Sequence, residues 1–212
     1  MKAAPNLQSH YAQQVIPILE RACLDFGGEL GQLARNDVVV LLDAMNHIDG
    51  VYDKVEKLED RTALAEAIVE GFESDRSLAV LQQYGILDWI LSLREILDRR
   101  STRKQFAGTL AKIFPVSEKI KATKDPTVLL DASYVEGSLT GELIGLAGAG
   151  DLPDGVAAFL RQLVATGNVF DDLADIDEDY LNGERVYKAD WRFALLGQKI
   201  FWRAIFDLAK LY

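Results

Sequence analysis

The chain has 212 residues, 49% of them hydrophobic, and carries a formal net charge of −10. This length fits one domain or at most two small ones, with enough apolar residues for a sizeable core. The negative charge argues against a nucleic-acid-binding protein, because an acidic surface repels the phosphate backbone. The single cysteine, Cys23, excludes a disulfide framework and a cysteine-based zinc site, and it fits the reducing cytoplasm.

Helical patterns follow one another along the chain, whereas strand signals are nearly absent. Prolines mostly fall where helices would begin or end, and the candidate N-caps are Ser9, Asn36 or Asp37, Ser101 and Asp125. The predicted helices span residues 9–26, 37–58, 60–73, 76–84, 86–100, 102–114, 116–123, 127–149, 153–181 and 190–211. No internal repeat or linker indicates two domains. We therefore predict a single all-α domain over residues 1–212, built as a bundle of long antiparallel helices.

A first acidic cluster lies on the predicted helix 37–58 and just beyond it. Asp49, Asp53, Glu56 and Asp60 fall within ~40° of one line along a continuous helix. Like charges four residues apart repel, so such a helix needs a counter-cation or open water. A metal site and a solvated acidic face both remain open at this cluster.

Two further segments carry unusual residues. The predicted helix 153–181 has six acidic residues between positions 171 and 179, a poor design for a helix without cations. Carboxylates of this kind suit Mg²⁺, although a solvated helix end is the alternative. The predicted helix 127–149 places four glycines on one stripe, each costing ~1 kcal/mol relative to alanine. Close packing by another helix and a smooth wall for a long apolar ligand are both open interpretations of that stripe.

Basic residues form two features. Arg99, Arg100, Arg103 and Lys104 make a short cluster that is typical of a solvated helix end. The apolar segment 191–212 is interrupted by four basic residues. It is predicted to be a core helix, with peripheral contact to a membrane surface as the open alternative.

These segments together resemble the squalene/phytoene synthase branch of the class I isoprenoid synthases. Asp49 and Asp53 match the Asp-x-x-x-Asp of that family, and 134–141, with Tyr134 followed by Gly137 and Gly141, is similar to its middle-helix motif. The second acidic motif of the family is matched in register by Asp171, Asp175, Glu178, Asp179 and Gly183. The similarity runs in patches from about residue 35 to 187.

The resemblance implies an isoprenoid (terpenoid) synthase-like helical bundle around a central pocket, and an enzyme that uses Mg²⁺ and a prenyl diphosphate. It implies prenyl transfer, condensation or terpene cyclisation that begins with ionisation of the diphosphate. The implied catalytic residues are Asp49, Asp53, Asp175 and Asp179, and the implied metal ligands are Asp49, Asp53, Asp171, Asp175 and Asp179. The implied substrate-binding residues are Tyr134, Gly137, Gly141, Arg185 and Lys188.

Two other functions stay open. An all-α, Mg²⁺-dependent nucleotide pyrophosphatase would explain the acidic clusters but not the glycine stripe. A non-catalytic helical relative that binds prenyl lipids would keep the fold without turnover. A homodimer is also compatible with the sequence.

Overall fold

In a computed structural model, residues 10–183 and 185–210 are described, and within them the chain forms nine α-helices and no strand. The predicted all-α class is therefore confirmed for these residues, while the predicted helix ends at 9 and 211 lie outside them. The helices are α1 (His10–Asp25), α2 (Gln32–Tyr52), α3 (Leu58–Glu73), α4 (Leu78–Gln83), α5 (Leu87–Arg99), α6 (Arg103–Ala122), α7 (Pro126–Ala147), α8 (Val156–Leu181) and α9 (Trp191–Ala209).

The first acidic cluster does not lie on one helix. α2 ends at Tyr52 and α3 begins at Leu58, so the prediction of a helix over 37–58 that aligns Asp49 with Asp60 is wrong. Arg61 stabilises the break, because its Nη1 donates to the carbonyl oxygens of Val55 at 2.9 Å and Glu56 at 3.1 Å. A side chain that caps carbonyl groups five or six residues earlier does not change the spacing of apolar residues, so helical periodicity does not reveal this break.

A second correction concerns α6. The sequence predicts a break between 114 and 116, but α6 runs without interruption from Arg103 to Ala122 with Pro115 inside it. A proline in a helix removes one backbone hydrogen bond, and its φ stays helical. One proline is therefore a weaker stop than the sequence analysis assumed.

The chain divides into two compact units. The first comprises Met1–Ala111 and Leu146–Asp154. In it, α2 packs against α1, α3 and α5, and fully buried Leu41, Ile68 and Ile90 belong to its core. The Arg100 side chain is only 6% exposed and pairs with buried Asp37 at 2.8 Å and with Asp151 at 2.5 Å, so this part of the basic cluster is not a solvated helix end.

The second unit comprises Lys112–Gly145 and Gly155–Tyr212. Its helices α7 and α9 both pack against α8: Gly141 on α7 lies against the α8 backbone, and Gly197 on α9 lies against Leu173. A cluster of buried apolar side chains joins the three helices, formed by Leu129, Leu130, Val169, Ile176, Tyr187 and Phe193. The acidic cluster of residues 171–179 belongs to this unit.

The expectation of one domain over 1–212 stays a prediction, because compact units are not shown to fold separately. Among the described helices, none combines the length and the apolar character that crossing a bilayer would need.

Candidate functional site

The acidic segment of α8 has an inner and an outer side. Asp172 is buried, because it shares a helical face with Val169 and Ile176, three residues before it and four after it, which are both in the core. Asp171 and Asp175 are exposed. Asp172 therefore faces the protein, whereas Asp171, Asp175, Asp177 and Glu178 face solvent.

Arg185 returns to this segment after the helix ends. Gly183 adopts a φ of +77°, a left-handed conformation that glycine takes without steric cost and that lets the chain reverse. The backbone N–H of Arg185 then donates to the carbonyl oxygen of Asp179 at 3.3 Å. Its guanidinium forms ion pairs with two carboxylates in the last turns of α8. The Nη2 atom pairs with Asp172, and the Nε atom pairs with Asp179 Oδ2 at 2.8 Å. The turn at Gly183 thus supplies the acidic segment with an internal cation.

Two polar atoms of this cluster lack a hydrogen-bond partner within the described part of the chain. The Oδ2 atom of Asp172 and the Nη1 atom of Arg185 are buried and have no hydrogen-bond partner among the described residues. A buried polar atom without a partner costs about 1–3 kcal/mol, so such atoms are rare in folded proteins. The cluster therefore offers one unused acceptor, which suits a cation, and one unused donor, which suits a phosphate oxygen.

The carboxylate of Asp171 is destabilised. Desolvation raises its pKa above the ordinary value for aspartate, and the nearby charges of Asp175 and Asp172 raise it further. A cation bound at Asp171 and Asp175 would relieve this repulsion.

The carboxylates of α8 fit only one kind of Mg²⁺ site, in which water and substrate phosphates supply the other ligands. Among residues 10–183 and 185–210, no group of three or more His, Cys, Asp or Glu side chains is arranged to hold a metal ion. Mg²⁺, however, usually takes one or two carboxylates together with water and substrate phosphates. Asp171 and Asp175 fit that role, whereas a cage made of protein ligands alone does not. Mg²⁺ binding stays a prediction.

The glycines of α7 lie against α8. A Cβ atom on Gly137 would come within 2.6 Å of the carbonyl oxygen of Val164, and one on Gly141 within 2.5 Å of that of Leu160. Close helix packing, one of the two open interpretations, therefore explains both glycines. Their predicted contact with substrate stays a prediction.

Tyr134 lies on α7 next to a pocket of about 290 Å³ between α7 and α9. Its hydroxyl donates to Gln162 Oε1 at 2.7 Å, and Gln162 Nε2 donates to the carbonyl oxygen of Ala204 at 3.2 Å. The pocket is lined by Asp131, Tyr134, Val135, Ile200, Arg203, Ala204 and Asp207. Its volume lies just below the range for small-molecule sites, about 300–1,000 Å³.

The remaining predicted site residues, Asp49, Asp53 and Lys188, lie outside the acidic segment of α8. Asp49 and Asp53 are exposed at the end of α2 in the first unit, where the N–H of Asp53 donates to the carbonyl oxygen of Asp49 at 2.9 Å. That they face the α8 segment stays a prediction. The ammonium group of Lys188 lies 5.9 Å from the ring centre of Tyr180 in the second unit.

One residue of the site is not predicted by the sequence motifs. Asp172 was not among the predicted site residues, although it is the buried partner of Arg185. Its register with Val169 and Ile176 was the available signal.

No protein-family model, curated protein or solved structure compared with the chain matches it.

Proposed function

We propose that this chain is a Mg²⁺-dependent enzyme acting on a prenyl diphosphate, with an isoprenoid synthase-like all-α fold and a place in the cytoplasm. The observation that supports this function most is Arg185, held by Asp172 and Asp179 with its Nη1 atom unused, beside two exposed carboxylates. A cation next to carboxylates is the combination that a metal–diphosphate group requires, because such a group presents both a positive ion and anionic oxygens.

Each residue has a proposed role. Asp171 and Asp175 would hold Mg²⁺, with Asp179 as a further ligand that also positions Arg185. Arg185 would supply positive charge beside the diphosphate and would donate from Nη1 once that buried atom turns outward, with Lys188 as a second cation nearby. When bound, Mg²⁺ neutralises charge on the departing diphosphate. Asp49 and Asp53 remain the proposed second pair of metal ligands.

The pocket beside Tyr134 is the proposed site for the prenyl chain. It is lined mainly by apolar surface, and Gln162 holds both of its walls through hydrogen bonds to Tyr134 and to Ala204. Along α8, Gln162 lies nine residues before Asp171, or ~13 Å at 1.5 Å per residue. Nine residues at 100° each also place Asp171 on the opposite side of α8 from Gln162, so a prenyl chain reaching this pocket from the acidic segment would have to pass around the helix as well as along it.

A nucleotide pyrophosphatase is the second candidate. The glycine stripe was the feature that it did not explain, and packing of Gly137 and Gly141 against α8 accounts for those glycines without a ligand. The acidic segment with Arg185 would serve a nucleoside triphosphate as well as a prenyl diphosphate.

Thermal unfolding with and without Mg²⁺ tests the proposal. Geranyl, farnesyl and geranylgeranyl diphosphate should each be compared with a nucleoside triphosphate and with inorganic diphosphate. A ligand at a hundred times its Kd stabilises the native state by about 2.7 kcal/mol, which corresponds to about 5–10 °C in a chain of this size. We expect a shift of that order with at least one prenyl diphosphate, only when Mg²⁺ is present.

Asp175→Asn should abolish the Mg²⁺-dependent shift, whereas Asp177→Asn, which removes the same charge from an exposed position of the same segment, should retain it. A shift that survives Asp175→Asn would remove α8 from the proposal, and a shift with the nucleoside triphosphate alone would favour the second candidate.

A further inference from the structure

α9 has apolar residues on two opposite faces. Its inner face contains buried Phe193, Gly197 and Ala204. On the other side, four large side chains lie within ~60° of one another around the helix. They are exposed to solvent over more than half of their surface, and we call them the outer stripe: Trp191 69%, Leu195 58%, Trp202 58% and Phe206 66%.

A row of cations runs along one edge of the outer stripe. Arg192, Lys199, Arg203 and Lys210 lie within ~40° of one another, directly beside the stripe on a continued helical path. Asp207 pairs with Lys210 at 2.7 Å and lies 3.9 Å from Arg203, as exposed ion pairs that are individually weak. The chain as a whole has a net charge of −10, whereas this row places positive charges next to the outer stripe.

The apolar surface continues onto α8 at one end of the stripe. Exposed Phe170 contacts Phe201, with ring centres 5.8 Å apart, and Phe201 contacts Trp202 at the same distance. The part of α8 beside the C-terminal half of α9, residues 161–170, has no Asp or Glu. The acidic segment lies towards the other end, where Leu173 packs against Gly197. The region from Lys199 to Lys210 therefore combines aromatic and cationic side chains, with Asp207 within it and the acidic segment beginning at Asp171, next to Phe170.

We propose that the outer stripe binds the surface of a membrane containing anionic lipids. Trp and Phe side chains enter the interface between headgroups and acyl chains, while Lys and Arg beside them attract anionic headgroups. A second copy of this chain fits the stripe less well. A twofold interface places the same surface against itself, and when the two α9 helices are antiparallel it brings the cationic row of one copy against that of the other. This proposal goes beyond the proposed function and does not depend on it.

Co-flotation of the full chain with lipid vesicles tests the proposal. We expect the chain to float with vesicles of phosphatidylcholine and phosphatidylserine, to float much less with phosphatidylcholine alone, and to be released by added salt. Lys199→Gln combined with Arg203→Gln should weaken the binding about thirtyfold, since each cation near an anionic surface contributes to the affinity. Trp202→Ser combined with Phe206→Ser should reduce flotation to background.

Leu24→Ser combined with Leu33→Ser is the matched control, because these side chains are similarly exposed in the first unit. This variant should float like the unchanged chain. Sedimentation equilibrium without vesicles measures whether the chain forms a dimer instead. The proposal is overturned if the chain does not float with anionic vesicles or floats equally well after the Trp202 and Phe206 substitutions. A dimer that those two substitutions dissociate would also overturn it, in favour of a second copy.

Discussion

Arg185 and Asp172 depend on each other. Asp172 is buried on the core face of α8, and Arg185 reaches it only because the chain reverses at Gly183. Local periodicity places Asp172 on the helix but contains no information about a side chain thirteen positions later. The pair was therefore out of reach of the sequence analysis, although Asp179 and Arg185 were each predicted as site residues.

Replacing Arg185 by Gln should lower the free energy of unfolding by about 2–4 kcal/mol, because it leaves the Asp172 carboxylate buried without its cation. Urea unfolding measures the change. Lys188→Gln, which removes an exposed cation three residues later, should change stability by less than about 0.5 kcal/mol. Combining Arg185→Gln with Asp172→Asn should recover part of the loss. Equal stability of Arg185→Gln and the unchanged chain would contradict the role given to this pair.

A helix start could be predicted where the capping residue directly precedes the helix in the sequence. α7 begins at Pro126 as expected after Asp125, whose Oδ1 accepts from the backbone N–H of Thr127 at 2.8 Å. The break between α2 and α3 was missed because Arg61, a residue of the following helix, satisfies the carbonyls there. Local capping thus predicted the start of α7, but it placed the start of α2 at Asn36 or Asp37, whereas α2 begins at Gln32.

Gly141→Ala tests the packing of α7 on α8. The new Cβ would lie 2.5 Å from the carbonyl oxygen of Leu160 and 2.7 Å from Cα of Arg161, so the two backbones would have to separate. We expect a loss of about 1–3 kcal/mol in urea unfolding. Gly167→Ala on α8 is the control, because beyond its chain neighbours and the adjacent backbone of α8 no atom of the described residues lies within 4 Å of its Cβ position, and it should stabilise by about 0.5–1 kcal/mol. Unchanged stability of Gly141→Ala would mean that α7 and α8 are not closely packed.

Asp190 begins α9 and gives it a dependence on pH. Its Oδ1 atom accepts from the N–H groups of Phe193 at 3.0 Å and Arg192 at 2.9 Å, and from the Tyr187 hydroxyl at 3.0 Å. The Phe193 N–H is the largest cause that lowers the pKa of Asp190. Because the folded state holds the proton less tightly than the unfolded state, this contribution is present above the unfolded pKa, about 3.9, and is lost as pH falls through the folded value.

Asp190→Ala should therefore lower the unfolding midpoint at neutral pH by about 2–4 °C, the shift expected for one lost helix cap. The difference from the unchanged chain should shrink below about pH 4. Asp190→Asn, which keeps a capping oxygen without the charge, should lose less at neutral pH. A difference between Asp190→Ala and the unchanged chain that grows as pH falls would contradict this account.

At the scale of the whole molecule, the sequence was sufficient for the all-α class and insufficient for the arrangement of the site. Helical periodicity is repeated along the chain, so errors at single boundaries do not change the class. The predicted pairing of Asp49 and Asp53 with the α8 segment concerns residues more than a hundred positions apart, for which spacing gives no distance. The proposed site therefore rests on the second unit, where Asp171, Asp175 and Arg185 belong to consecutive segments.

Release of inorganic diphosphate is the most direct test of the central claim, a Mg²⁺-dependent reaction of a prenyl diphosphate at the acidic segment of α8. The full chain should be incubated with farnesyl diphosphate or with a nucleoside triphosphate, with Mg²⁺ or with a chelator. We predict release from farnesyl diphosphate that requires Mg²⁺, is lost in Asp175→Asn and is retained in Asp177→Asn. Release from the nucleoside triphosphate alone, from neither substrate, or from farnesyl diphosphate after Asp175→Asn would contradict the claim.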